Sequence, residues 1–279
     1  MSIDGAGKEL HRVRDGQRYS NIAVNNFGNG IFRIDRPTRD LQVRNVTAVD
    51  GYRVFETYPA KDQSDASIKK LVLDNIAATQ LKRGFARIGH DSSGGVINKI
   101  DASGTVFNDQ IPAGIAFMDT AHDFTISNCT MRHFRMELGP GKYWNGDGYS
   151  SEKDNYGLRF LNCAAFMCTD GGFDLKSTGT FLDDCVAGEN KFNFRFWSPV
   201  QAWTLTSLNP RKGDGTGGYG HFSITGGPGM EITIEKLVAR SDNTAPLFTV
   251  HRGAARVIIG SHDLKLPPQT PLVAGEGSL

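Results

Sequence analysis

Three aspartates, Asp147, Asp170 and Asp174, fall at related places in two consecutive passes of one pattern between Trp144 and Trp197, and Lys176, Arg195 and Trp197 follow them. The stretch reads WNGDGYSSEKDNYGLRFLNCAAFMCTDGGFDLKSTGTFLDDCVAGENKFNFRFW. Clustered carboxyls beside cations have three uses. They can exchange protons with a substrate, supply the several oxygens that a hard cation such as calcium needs, or pair with their neighbours in a cross-strand ladder of modest stabilising value. Trp144, Trp197, Tyr143 and Tyr219 add flat faces suited to stacking on sugar rings, although such side chains also serve ordinary packing. Arg211, close to Tyr219 in the chain, is a candidate substrate contact. Acids, cations and aromatics together point to an acidic polysaccharide.

Composition sets the bounds. The net charge is +1 over 279 residues, so no global field draws the protein to nucleic acid or to a membrane surface, and a charged ligand needs a local patch. No apolar run is long enough for a membrane span. The opening MSIDGAGKELHRVRDGQRYS is polar and carries no apolar signal segment. An extracellular or periplasmic location is therefore an expectation from fold and substrate class alone. The four cysteines contain no CxxC pair, which argues against zinc. Three of them hold one place in successive repeats, as a column of buried thiols would.

The elements that position these residues are repeats. The pentapeptides RNVTA (44–48), DNIAA (74–78), NKIDA (98–102), SNCTM (127–131), LNCAA (161–165), DDCVA (183–187), TSLNP (206–210) and EKLVA (235–239) align on Val46, Ile76, Ile100, Cys129, Cys163, Cys185, Leu208 and Leu237. A second strand, usually led by Phe, recurs in each repeat, from FRID (32–35) to FTVHR (248–252). A constant core position at irregular spacing suits a solenoid whose turns carry insertions on one side. Asn45, Asn75, Asn128 and Asn162, with Asp184 next, precede the core residue and predict a ladder of left-handed corners. The expected fold is an all-β, right-handed parallel β-helix of about nine coils. It spans residues 20–264, with a polar leader or cap at 1–19 and a Pro/Gly-rich tail at 265–279 that runs outside or frays. Turn-rich insertions at 135–148 and 209–220 are the expected binding loops. The oligomeric state is left open.

Period-two alternation makes the register a prediction. If Tyr149, Phe173 and Phe194 stack inward, then Ser150, Asp174 and Arg195 stack outward in adjacent coils, and Glu152, Lys176 and Trp197 do the same two residues on. Asp147 and Asp170, in the turns just ahead, converge on the edge of that patch.

NGDGY (145–149), TDGGFDL (169–175) and ENKFNF (189–194) resemble segments of the family 9 pectate lyases, over roughly residues 125–227. The resemblance implies a right-handed parallel β-helix that cleaves a uronic-acid polymer by β-elimination, with Asp147, Asp170 and Asp174 as calcium ligands. Gly171 stands where that family has a further aspartate. Its proton-abstracting lysine best matches Ser223 in HFSITGG (221–227), which leaves Arg195, His221 or Lys212 as the substitute base. Calcium, or Lys176 with Arg195, is expected to neutralise the substrate carboxylate. Two rivals share the scaffold. One is an inverting glycoside hydrolase using Asp147 and Asp170, although the Gly-His-Gly and Arg-Ile-Lys signatures of polygalacturonases are missing. The other is a tailspike-like module that binds a polysaccharide without cleaving it.

Overall fold

A computed structural model describes all 279 residues, and in it the chain winds into a parallel β-helix with no α-helix. No helix is long and apolar enough to cross a membrane. Every strand pairing is parallel and joins one turn of the coil to the next. Such crossovers are right-handed in nearly all proteins, because a twisted strand packs back onto its sheet only that way. The second-strand stack runs from His11–Arg12 through Phe32, Phe55, Ala86, Ile115, Tyr149, Phe173, Phe194, Phe222 and Phe248 to Val273–Gly275, which is eleven levels. The two levels beyond the expected nine lie at the ends. Ser2–Asp4 and His11–Arg12 pair with Arg18–Ile34, so the segment expected as a leader or cap forms the first rung. Val273–Gly275 pairs with Phe248–Val250, so the tail adds a strand rather than fraying.

The corners explain why the chain bends where it does. Asn21, Asn45, Asn75, Asn128, Asn162 and Asp184 all have φ between 49° and 57°, the left-handed region that Asn and Asp tolerate best. Their amides bond along the axis, with Asn75 Nδ2 donating to Asn45 Oδ1 at 2.8 Å and Asn162 Nδ2 to Asn128 Oδ1 at 2.8 Å. Val46, Ile76, Ile100, Cys129, Cys163, Cys185 and Leu237 follow as the buried column. One expected member is corrected: Leu205, not Leu208, faces Cys185 and Leu237. Asn209, which makes TSLNP look like the others, has its positive φ at a different corner, level with Glu189.

The interior is one continuous cluster of 61 buried residues, so the coils form a single domain. At its centre Tyr149, Phe173, Phe194, Phe222 and Phe248 stack with centroid spacings of 4.6, 5.2, 5.1 and 5.3 Å, close to the strand spacing that imposes them. All four cysteines are free and buried.

Candidate active site

With the aromatic stack inward, Ser150 pairs with Asp174 and Asp174 with Arg195, as the alternation requires. Asp170 ends the turn before Gly171–Leu175, and its backbone carbonyl accepts from Phe192 N–H at 3.0 Å, which sets the turns of adjacent coils level. Lys191 therefore lies one coil above Asp170. Sequence reasoning missed Lys191, although the signal was present: it follows Asp170 by the same interval that separates Asp174 from Arg195 and Phe173 from Phe194.

The result is a compact, largely buried charge cluster. Asp170 is 2% exposed; Tyr143 Oη donates to it, with its two oxygens at 2.7 and 2.9 Å. Arg195 Nη1 reaches the same carboxylate at 3.1 Å, and Lys191 Nζ lies 3.8 Å away. Arg195 Nε is 3.9 Å from Asp174, whose Oδ1 also accepts from Trp197 Nε1 at 2.6 Å. Asp147 accepts only a backbone N–H, from Gly171 at 2.7 Å. Lys176 stands at the edge, paired with Glu152 at 2.9 Å and 5.9 Å from the Trp197 ring.

Burial raises all three acids, and their neighbours oppose it unequally. Burial raises Asp147 well above the ordinary carboxylate range, and the neighbouring Asp174 and Asp170 add to the shift. Burial also raises Asp174, but there Arg195, Lys176 and the Trp197 N–H oppose it. Arg195 is lowered by burial, yet the surrounding Asp174 and Asp170 outweigh this and raise it overall. A guanidinium held so firmly in its charged form neutralises anions but does not abstract protons, so the expectation of Arg195 as a base is corrected. Burial lowers Lys191.

The other expected site residues fare unequally. Asp147, Asp174 and Lys176 line a groove of about 230 Å³. Lys212, Arg211 and Tyr219 line a separate shallow cavity that shares no residue with the groove. Trp144 is roofed by the 209–219 loop: a Cβ on Gly213 or Gly215 would come within 2.7 Å of its ring. It is a support for that loop, not an open stacking face. The Tyr143 ring carries the Lys191 ammonium 3.5 Å from its centroid, so one face is already taken. Trp197 has Arg195 over its ring at 4.7 Å. Ser223 is buried beside Arg195 in register, and its hydroxyl has no partner.

His221 is wholly buried and cannot be the base. Its Nδ1 meets Ser207 Oγ at 2.8 Å in an internal chain that continues to Asn193 and Asn190. Burial pushes it down to about 4. A histidine lowered in the folded state stabilises the fold above its ordinary value of 6.5, and that contribution is lost as pH falls through 6.5 toward 4. The expected loss is about 3 kcal/mol. Urea unfolding of the wild type and His221→Gln at several pH values checks this: the variant should show a shallower decline across that window, and parallel curves would contradict it.

The residues do not fit a calcium ion. No three carboxylate, histidine or cysteine side chains converge as a metal-ligating group. The acids face a backbone N–H, a phenol, an indole and a guanidinium instead. Gly171 leaves no room for the further aspartate, since a Cβ there would lie 2.8 Å from Asp147 Oδ1 and 3.0 Å from Asp174 Cβ.

No family model matches the chain, and no curated protein does. Among solved structures, the A-module of the mannuronan C-5 epimerase AlgE6 from Azotobacter vinelandii is similar at 13% identity, covering 100% of this chain and 87% of that one, with a TM-score of 0.44.

Proposed function

We propose that the protein is a polysaccharide lyase acting on a uronic-acid polymer. The observation that carries this reading is the unequal support of Asp147 and Asp174, two carboxyls at one groove that burial raises: Arg195, Lys176 and the Trp197 N–H favour ionisation of Asp174, whereas no cation touches Asp147. Asp174, supported by Arg195 and the Trp197 N–H, is the ionised base. Asp147, with no cation in contact, holds its proton and is the acid.

The chemistry follows from this assignment. Arg195 and Lys176 face the substrate C6 carboxylate and stabilise the charge that builds there as the C5 proton leaves. Asp174 takes that proton, the C5–H electron pair becomes the C4–C5 double bond, and the C4–O bond breaks. Asp147 gives its proton to the departing oxygen, so charge is conserved across the step. Cations at the groove favour a uronic acid over a neutral sugar. A polymer substrate also fits an extracellular or periplasmic setting.

An inverting hydrolase is the second reading, favoured by the same raised carboxyls, one of which would activate water. Incubation with a panel of acidic polysaccharides separates them. Ultraviolet absorbance from unsaturated uronide ends, rising together with reducing ends, is the expected result. Reducing ends without absorbance would replace the lyase reading with the hydrolase. Neither signal across the panel would leave a binding module.

A further inference from the structure

The groove beside Asp147 and Asp174 has a second end. There its wall is formed by Arg83 and Arg87, three coils before Asp174, and by Arg53, one coil earlier still, with Ala86, Ala113 and Ala116 as a small-residue floor. Register connects the two ends: Arg87 pairs with Ala116, Ala116 with Ser150, and Ser150 with Asp174. Three strand spacings, about 14 Å, separate Arg87 from Asp174, and Arg53 lies one spacing further along the axis.

The arginines are gathered by a corner irregularity. Pairing slips between Gly51 and Arg53, which brings Arg53 opposite Gly84 and sets Arg83 next to it. Only one of the three has a carboxylate partner. Arg53, 8% exposed, pairs with Glu56. Arg87 donates Nη1 to the Thr57 carbonyl at 3.0 Å. Arg83 Nη1 is buried and has no hydrogen-bond partner at all. Burial, with Arg53 and Arg87 nearby, disfavours its cation. Leaving a buried donor of a charged group unmatched is costly, and here the unmatched donor belongs to a cavity wall.

We propose that Arg53, Arg83 and Arg87 form an anion subsite that takes a second acidic group of the same polymer, a carboxylate or a sulfate ester, about 14 Å from the reacting sugar. A bidentate guanidinium contact suits either group, and the alanine floor admits a sugar ring against the backbone. The subsite deepens the lyase reading by defining its substrate as a chain bearing acidic groups on more than one sugar. Short oligomers that fill only the Asp174 end forgo this contact.

Binding measured without turnover tests it. Uronate oligomers of increasing length, their carboxyl-reduced counterparts and sulfated oligomers are titrated by calorimetry into Asp174→Asn protein, alone and combined with Arg83→Gln, Arg87→Gln or the distant surface control Arg256→Gln. The expected result is a step in affinity at the length that reaches the arginines. Arg83→Gln and Arg87→Gln each remove about tenfold or more of that gain, while Arg256→Gln and the shortest oligomers are unaffected. Preference between carboxylated and sulfated oligomers identifies the anion. No length step, or equal affinities in all variants, overturns the subsite. The lyase reading is judged separately, because unsaturated ends with an intact Arg83→Gln affinity would sink the subsite alone, and arginine-dependent binding without unsaturated ends would sink the lyase alone.

Discussion

Asp174→Asn lowers turnover by about three orders of magnitude on the preferred acidic polymer, the upper part of what a positioned general base contributes. The substitution keeps the shape of the side chain and its contact with Trp197 Nε1. It removes only a carboxylate that burial has already made more basic than usual, so the fold is expected to be as stable as the wild type or slightly more so. This separates a chemical role from a structural ion-pair ladder, in which losing the partner of Arg195 would cost stability and leave turnover alone. The pH profile adds a second readout. The base must be ionised and the acid protonated, so wild-type activity should form a bell. Its acid limb lies above the ordinary carboxylate range, and its alkaline limb follows Asp147, which is raised further. In Asp147→Asn the alkaline limb should disappear along with most of the rate. Wild-type kcat in Asp174→Asn would sink the assignment.

Phe173→Ala is expected to cost about 3–5 kcal/mol, the range for deleting a buried aromatic ring. Phe173 is fully buried, stacks on Tyr149 at 4.6 Å and Phe194 at 5.2 Å, and meets Phe160 edge-on at 5.8 Å. Its removal opens a gap in the middle of the column, where flanking coils fixed by backbone ladders cannot collapse inward. In a chain of this size each kcal/mol moves the melting temperature by about 2–4 °C, so calorimetry should show a fall on the order of 10 °C. Because each coil touches only its neighbours, the transition should also broaden as the two halves uncouple. A loss below about 1 kcal/mol would mean that the column is not the continuous support described.

What the sequence disclosed follows from which interactions are local in register. The aromatic column and the asparagine corners were legible because each coil repeats the same alternation and the same left-handed bend. Leu208 was misplaced because Asn209 has the right residue type at the wrong corner. His221 was a candidate base of HFSITGG by position, but it is wholly buried and bonded to Ser207. Trp144 looked like a sugar platform until the same insertion crossed to Lys142, with Thr216 N–H donating to its carbonyl at 2.8 Å. Asp147, Asp170 and Asp174 were found by type and spacing, but the partners that engage them, the Gly171 N–H, Tyr143, Arg195 and Trp197, come from three coils, which no single motif contains. The arginine wall was invisible for a related cause: Arg53, Arg83 and Arg87 come from two coils and meet only through a pairing slip.

The thiol column has a consequence for handling the protein. Cys129, Cys163 and Cys185 occupy one register position in three successive coils, so their Cβ atoms are held about one strand spacing apart, 4.8 Å. That is just beyond the 3.5–4.5 Å that a disulfide requires. The native backbone thus keeps oxidisable neighbours unlinked without needing a reducing environment. Once the coils open, nothing enforces the gap, and exposed thiolates can cross-link into loops that the solenoid cannot accommodate. Heating in air should therefore be irreversible and dependent on scan rate, whereas the same scan with a thiol reductant, or on a triple Cys→Ala chain that still folds, should retrace itself on cooling.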